Sequence, residues 1–210
     1  VFIGIDSLFL VSLIAFFVGI IIAFQTAYQL RQFKSEIYIA SLVVLSLVRE
    51  LGPVLSSLIV AARSGASITA GIGSMKISEQ VDALETFGVE PIDYLVVPKF
   101  IALVVSMPLL VIYADFLGIV GGYVVGSTKF ALPFGLYFQL TFDALQVKDL
   151  VAGMIKSVSF GAIIALVSCY EGFQPFSSID VSRSVTHAVV RSFILIIMFD
   201  CILTALFYFL

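Results

Sequence analysis

Four charged side chains inside long apolar stretches are the first candidates for chemistry in this sequence. Arg49 and Glu50 are adjacent in one stretch, and Asp115 and Asp200 each stand alone in another. If these stretches cross a bilayer, an unpaired charge near its centre costs at least about 2.5 kcal/mol, so the four residues must be paired or functional. Arg49 and Glu50 therefore form a binding-site pair or a structural salt bridge. Each aspartate is a proton relay, a substrate contact or an interhelical hydrogen-bond partner.

The composition of the chain indicates that these stretches do cross a membrane. Of its 210 residues, 61% are hydrophobic and only 12% are charged, whereas soluble domains carry about 25% charged residues. The eleven Lys and Arg residues are scattered singly and the net charge is -3, so the clustered basic face of a nucleic-acid-binding protein is missing. The sequence predicts an all-α polytopic membrane protein, with residues 1–210 in a single transmembrane domain and no nucleic-acid partner.

Five apolar stretches approach the roughly 20 residues that cross a 30 Å hydrocarbon core. They are residues 8–24, 37–62 with a polar interruption at 49–53, 94–126, 150–170 and 188–210. The third is so long that it must tilt, kink near Pro108 or begin in the membrane interface. Rows of small residues at four-residue spacing, such as Gly118 and Gly122, predict close helix packing. Because the sequence begins with Val1 rather than Met, we expect an N-terminal interfacial segment to be missing.

Residues 78–87 differ from these stretches and predict a short amphipathic helix outside the membrane core. Its apolar face is formed by Ile77, Val81 and Leu84. Its acidic face is formed by Glu79, Asp82 and Glu85. Ser78 is the expected N-cap and Gly88 the expected stop. Helices that lie in the membrane interface usually carry Lys and Arg on the polar face, so the acidic face favours a protein partner.

The remaining residues with catalytic or metal-binding potential lack partners at a useful spacing. His187 is the only histidine, and Cys169 and Cys201 lie in apolar runs without a CxxC motif. No metal site is therefore predicted. The sequence contains neither a Walker A motif nor a GxSxG motif, so we do not expect the chain to hydrolyse ATP or to act as an enzyme.

Several different sequence motifs are distributed along the chain. They include Arg49-Glu50-Leu51-Gly52-Pro53, Arg63-x-Gly65-Ala66, the run GSMKISEQVDALE at residues 73–85, Gly88-Val89-Glu90-Pro91 and Asp200-x-x-x-Thr204. Together these motifs resemble the MlaE-type permease family of phospholipid ABC transporters, and the resemblance extends over essentially the whole chain. The chain departs from the family pattern at Gly71, where glutamate is usual, and in residues 173–184, which replace a glycine-rich segment.

The resemblance implies a set of partners and a location. A second copy of the chain, a cytoplasmic ABC ATPase subunit that binds ATP and Mg, and a periplasmic MCE-domain protein are expected partners, with phospholipid as the substrate. The chain itself is expected to hold no cofactor. The resemblance also implies the bacterial inner (cytoplasmic) membrane, with the plastid inner envelope as the alternative. It places residues 76–93 and 171–187 in the cytoplasm, which the scattered positive charges alone do not decide.

Two groups of site residues follow from the resemblance. A lipid cavity near the periplasmic side is expected to be lined by Ile22, Leu30, Phe33, Arg49 and Glu50. The amphipathic helix is expected to be a cytoplasmic coupling helix that docks on the ATPase, with contacts from Lys76, Glu79, Gln80, Asp82, Leu84 and Glu85. The planar fork of Arg49 suits a lipid phosphate, and Glu50 can counter that charge between lipids.

Two other functions compete with this interpretation. An ion-coupled secondary transporter would use Asp115 and Asp200 as intramembrane titratable groups. No internal inverted repeat is evident in the sequence to support that alternative. A membrane-embedded enzyme ranks third, because the chain carries no recognisable catalytic motif.

Overall fold

The computed structural model describes residues 5–31 and 38–209, which are almost entirely helical. Within these residues it forms nine α-helices: α1 (Ile5–Arg31), α2 (Ile39–Ser46), α3 (Gly52–Val60), α4 (Ala66–Ile77), α5 (Gln80–Thr86), α6 (Val97–Phe130), α7 (Phe134–Ala144), α8 (Val147–Gly172) and α9 (Ser178–Phe209). Three π-helical turns join some of them, at Leu47–Leu51, Ala61–Gly65 and Ile92–Val96. The described residues contain no β-strand, so the all-α prediction is confirmed.

Five helical segments among the described residues are long and apolar enough to cross a membrane. They are Ser7–Arg31, Ile39–Ile77, Ile92–Phe130, Val147–Gly172 and Ser178–Phe207. The prediction of five crossings is therefore confirmed. The polar interruption predicted at residues 49–53 does not end the second helix: a π turn carries the chain through it, and the backbone N–H of Gly52 bonds to the carbonyl oxygen of Leu47. Pro108 likewise lies inside the continuous helix α6.

Contacts divide the described residues into two compact units. Unit 1 contains residues 5–7, 57–108 and 156–209, and unit 2 contains residues 8–31, 38–56 and 109–155. The single transmembrane domain predicted for residues 1–210 stays a prediction.

Glycines bring helix backbones into direct contact in unit 2. A Cβ atom on Gly19 of α1 would lie 1.9 Å from the carbonyl oxygen of Gly118 in α6, and one on Gly121 would lie 2.2 Å from that of Phe16. No side chain fits at such distances, so the predicted glycine row packs against protein. A buried cluster that includes Ala23, Val43, Leu47 and Val125 lies in the same unit.

Small residues have the same effect in unit 1. A Cβ atom on Gly65 would lie 2.8 Å from the hydroxyl oxygen of Ser168 in α8. The hydroxyl of Thr69, one turn further along, donates to the backbone oxygen of Ser168 over 2.9 Å. The small-residue spacing that predicts close packing thus places α4 against α8.

Helix α7 is an element that the sequence pattern did not predict. At 11 residues it is too short to cross a bilayer, so it gave no signal in a search for spans. Its Tyr137 is fully buried, makes edge contacts with Tyr123 and Phe138, and donates its hydroxyl hydrogen to the carbonyl oxygen of Ile119 over 3.3 Å. An aromatic cluster therefore fixes α7 in unit 2.

The amphipathic helix α5 begins differently from the prediction. The hydroxyl of Ser78 donates to the carbonyl oxygen of Ser74 over 2.8 Å, so it serves the end of α4 rather than the start of α5. Glu79 occupies the N-cap position in the left-handed conformation, with φ 58°. The Ser78 N-cap prediction is wrong because only two residues separate the helices and the hydroxyl of Ser78 bonds to the last turn of α4.

The predicted stop after α5 is confirmed. Gly88 has φ 74°, and its backbone N–H bonds to the carbonyl oxygen of Glu85 over 2.9 Å. The N–H of Val89 bonds to the carbonyl oxygen of Leu84 over 3.0 Å. These two bonds form a Schellman motif, which requires the left-handed conformation that glycine adopts without strain.

Candidate functional site

Arg49 forms a two-point ion pair with Asp149 in unit 2. Its Nε lies 2.8 Å from Oδ1 and its Nη2 lies 3.2 Å from Oδ2 of the aspartate. Only 1% of the Asp149 side chain is exposed, against 34% of the Arg49 side chain. The carboxylate is therefore enclosed while the guanidinium reaches a more open region. The two-point ion pair fixes the orientation of the planar guanidinium group of Arg49.

Local structure explains how the two partners meet. Arg49 is the third residue of the π turn Leu47–Leu51, and Asp149 lies in the first turn of α8. One turn after Asp149, a Cβ atom on Gly153 would lie 2.9 Å from the carbonyl oxygen of Val48. The absence of a side chain at Gly153 thus lets α8 approach the π turn closely enough for the ion pair to form.

Asp149 is a site residue that the sequence analysis missed. It lies 100 residues from Arg49, and an acid in the first turn of a helix is ordinarily explained by the helix dipole. Its near-complete burial is what distinguishes it, and burial cannot be seen in the sequence.

The other residues predicted to line a lipid cavity have varied surroundings. Glu50 lies in the same π turn as Arg49 and is half-buried. Ile22 and Leu30 are partly buried and pack against the core cluster of unit 2. Phe33 lies outside the described residues. The lipid-binding role of these residues stays a prediction.

The predicted coupling residues lie around the junction of α4 and α5 in unit 1. The ammonium nitrogen of Lys76 lies 3.1 Å from Oδ1 of Asp82 and links the two helices. Val81 is only 3% exposed, so this part of the apolar face packs on the chain itself and is not available to a partner. Leu84 is half-buried, and the residues left exposed to a partner are Glu79, Gln80, Asp82 and Glu85.

A groove of about 630 Å³ adjoins α5 on this side of unit 1. Lys76, Glu85, Val89 and Ile92 contribute to its lining. Phe87 is 84% exposed and is a large apolar side chain that the sequence analysis did not single out. The exposed surface near α5 therefore combines acidic and apolar groups.

The two intramembrane aspartates differ in their partners. Asp200 of α9 pairs through Oδ1 with the ammonium nitrogen of Lys156 in α8 at 2.8 Å. Lys156 is fully buried and also donates to the hydroxyl of Thr204 over 2.7 Å. This environment matches that of an interhelical partner, which was one of the alternatives for Asp200.

Asp115 lies in unit 2 in a different environment. Its Oδ1 is buried and has no hydrogen-bond partner among the described residues. A Cβ atom on Gly52 would lie 1.8 Å from that oxygen, so the carboxyl group occupies the space that the missing side chain leaves. Gly52 follows the π turn that carries Arg49, so its lack of a side chain is needed for the observed position of Asp115.

A further ion pair, also missed in the sequence, joins α8 and α9 in unit 1. Nη1 of Arg191 donates to Oε1 of Glu171. Glu171 is 3% exposed whereas the side chain of Arg191 is 55% exposed. As in the pair of Arg49, the acid is enclosed and the guanidinium is open.

Comparison with known proteins places this chain in a family. Residues 1–206 match the family model described as Permease MlaE. The chain is 46% identical over 208 residues to the "Probable ABC transporter permease protein" of Rickettsia prowazekii, covering 99% of this chain and 80% of that protein.

Two more distant relatives have more informative names. Over 207 residues the chain is 34% identical to the "Intermembrane phospholipid transport system permease protein MlaE" of Haemophilus influenzae, covering 98% of this chain and 79% of that protein. Over 206 residues it is 32% identical to "Protein TRIGALACTOSYLDIACYLGLYCEROL 1, chloroplastic" of Arabidopsis thaliana, covering 98% and 59%, respectively. This multi-pass membrane chain therefore belongs to the MlaE permease family.

Proposed function

We propose that this chain is the permease subunit of an ABC transporter that moves phospholipid between a bacterial inner membrane and a periplasmic MCE-domain carrier. The observation that supports the proposal most strongly is the match to the H. influenzae phospholipid permease over 98% of the chain. The chain has no Walker A motif, so a separate ATPase subunit supplies the energy, and it holds the ATP and Mg. The plastid inner envelope is the alternative location, because one relative is named as chloroplastic.

Arg49 is the group that binds the lipid phosphate in this proposal. The guanidinium is always charged, and its planar fork matches the geometry of a phosphate group. Asp149 is a positioning residue, because its enclosed carboxylate holds the guanidinium in one orientation. Ile22 and Leu30 contact the acyl chains, and Glu50 balances the charge of Arg49 when no lipid is bound.

Helix α5 couples the ATPase to the membrane segments. The ATPase binds the exposed residues around Leu84 and Glu85, and the ion pair of Lys76 with Asp82 transmits the displacement of α5 to α4. Val81 is buried and keeps α5 attached to the chain during that displacement. Two permease copies and two ATPase subunits form the transporter.

Native mass spectrometry of the chain co-purified with its ATPase in mild detergent tests both halves of the proposal. We expect a complex of two permeases and two ATPases with bound phospholipid. Arg49→Ala should remove the phospholipid, and Leu84→Glu should remove the ATPase. Arg63→Ala is the matched control for the first variant, because Arg63 is exposed and is the third residue of the other π turn in the same span.

Three results would contradict the proposal. One is ATP hydrolysis by the purified chain alone. Another is phospholipid that stays bound to the Arg49→Ala variant as it does to the Arg63→Ala control. The last is transport that depends on a proton or sodium gradient and is lost in Asp115→Asn or Asp200→Asn, since the ion-coupled alternative predicts that dependence.

A further inference from the structure

Two adjoining grooves lie between α8 and α9 in unit 1. The first has a volume of about 480 Å³ and a lining that is mostly apolar, with Leu166, Ile194 and Leu195 among its residues. The second has a volume of about 420 Å³ and a more polar lining that includes Arg183 and His187. Both are lined by Tyr170, Glu171 and Arg191. The shared residues lie where the two grooves adjoin, and the two together are called here the α8–α9 groove, with an apolar end and a polar end.

The sequence of α9 explains this arrangement. Arg183, His187 and Arg191 follow one another at four-residue spacing, which places them along one side of the helix. Ile194 and Leu195 continue the same side three and four residues beyond Arg191. The cationic and hydrogen-bonding groups thus lie toward the start of α9, and the apolar groups lie deeper in its membrane-spanning part.

The ion pair at the junction of the two ends presents a donor group outward. Glu171 is enclosed and holds Arg191, while the side chain of Arg191 remains 55% exposed. The other acid in the polar end, Asp180, accepts a hydrogen bond from the hydroxyl of Ser177 over 2.7 Å. Glu171 is thus neutralised by Arg191, Asp180 keeps its charge, and the donor groups of the polar end are Arg183, His187 and Arg191.

Exposed aromatic side chains flank the polar end. Tyr170 is 60% exposed and Phe176 is 90% exposed. Aromatic rings of membrane proteins concentrate at the level of the lipid headgroups. Their position is consistent with a polar end at the membrane surface and an apolar end in the hydrocarbon core.

We propose that this groove is a phospholipid-binding site separate from the predicted cavity at Arg49. One acyl chain lies in the apolar end between α8 and α9, and the phosphate is bound by Arg183, His187 and Arg191. Guanidinium groups bind phosphate through short charge-assisted hydrogen bonds. The proposal rests on the same ligand class as the proposed function but on different side chains, so either one can fail alone.

Photolabelling tests the site. The full chain is placed in phosphatidylcholine nanodiscs with a phosphatidylglycerol that carries a diazirine on one acyl chain, and the labelled residues are mapped by mass spectrometry. We expect label on the segments around Leu166 and Ile194. The double variant Arg183→Gln/His187→Gln should reduce this label by at least about tenfold, since the loss of even one hydrogen bond to a charged group has that effect. The matched control is Arg63→Gln, which removes an exposed cation elsewhere in unit 1.

A second pair of variants tests the apolar end without changing any charge. Ile194→Trp should fill the groove and abolish the label, whereas Ile202→Trp should not. Ile202 is 59% exposed on the same helix and does not line either groove. Arg191 is left unchanged, because removing it would leave the enclosed Glu171 without its partner.

Three outcomes would overturn the proposal. Label spread evenly along α9 in every variant would mean contact with bulk lipid only. Equal labelling by a diazirine fatty alcohol, which lacks a phosphate, would show that the polar end does not bind the phosphate. Crosslinks between two copies of the chain through Ile194 would show that the groove is covered by a protein interface. Loss of phospholipid from the Arg49→Ala variant with the groove label retained would separate the two sites.

Discussion

The pairs Arg49–Asp149 and Lys156–Asp200 are opposite in arrangement. In the first, the acid is enclosed at 1% exposure and the cation is 34% exposed. In the second, the cation is enclosed at 0% exposure and the acid is 18% exposed. A group can meet a ligand only through the part that remains open. The comparison therefore separates a partly exposed cation at Arg49 from an internal link between α8 and α9 at Lys156.

Each pair encloses one charge, so each should lose stability when one partner is removed, but the stranded charge of Asp149 is offset by the N-terminus of its own helix. Breaking a buried ion pair from one side strands the other charge, whereas replacing both groups with apolar residues is often neutral or stabilising. For a pair needed for stability alone, the double replacement should restore the protein fully. For a pair whose cation also binds a ligand, the double replacement should restore stability but not ligand binding.

The largest effect is expected from breaking the enclosed Lys156–Asp200 pair. Asp200→Leu should lower the free energy of unfolding by about 3–5 kcal/mol, because it leaves the ammonium group of Lys156 buried without its carboxylate. The measurement is denaturation in detergent micelles followed by circular dichroism. The double variant Lys156→Met/Asp200→Leu should recover most of that loss. A double variant as unstable as the single one would show that the pair has a role beyond charge compensation.

A smaller loss of stability is expected when the open pair is broken. Arg49→Leu should cost about 1–3 kcal/mol, because the enclosed Asp149 carboxylate keeps the backbone N–H of Gln146 as a donor and lies in the first turn of α8, where the helix dipole favours a negative charge. Arg49→Leu/Asp149→Leu should restore stability in the same denaturation experiment yet leave the chain without bound phospholipid. Phospholipid retained by this double variant would place the ligand contact elsewhere and remove the functional contrast between the two pairs.

Glycine variants sharpen the comparison without changing a charge. Gly153→Ala should cost about 1–2 kcal/mol and reduce bound phospholipid, because its Cβ would lie 2.9 Å from the carbonyl oxygen of Val48 beside Arg49. Gly161→Ala, with its Cβ 2.9 Å from the carbonyl oxygen of Leu103, should cost a similar amount and leave the phospholipid bound. Gly71→Ala is the control, since a Cβ there meets nothing within 4 Å. Equal phospholipid loss in the first two would argue against a local effect on Arg49.

The smallest effect is expected at the hydroxyl that accepts from Lys156. Thr204→Val removes one hydrogen bond and should lower stability by about 1 kcal/mol. Thr128→Val is the control, because among the described residues that hydroxyl bonds within its own helix, to the carbonyl oxygens of Val124 at 2.7 Å and Val125 at 3.5 Å. Thermal unfolding of both variants in detergent measures the difference. Equal stability would mean that Asp200 alone holds the ammonium group.

The parts of this structure that follow from local sequence pattern could be predicted. Apolar length gives the five spans, four-residue spacing of small residues gives close packing of the helices that carry it without naming their partners, and Gly88 ends α5. Each of these depends on residues within a few turns of one another. The same holds for the family motifs, which are contiguous.

The partners of the charged residues could not be predicted, for a physical reason. Asp149 meets Arg49 across 100 residues of chain, and Lys156 bonds Thr204 across 48. Burial selects these partners, and no local pattern shows which acid is enclosed. Ser78 illustrates the same limit at short range, because either of two neighbouring helix ends could have taken its hydroxyl.

The π turns at Leu47–Leu51 and Ala61–Gly65 give the second span an unusual property. Each turn holds roughly one residue more than an α-helical turn, so it behaves as an accommodated insertion. Deleting one residue there would restore ordinary helix, and the side chains just before and after the turn would stay on the faces they now occupy. The two turns are therefore places where the second span can gain or lose one residue while the side chains next to the turn keep their directions.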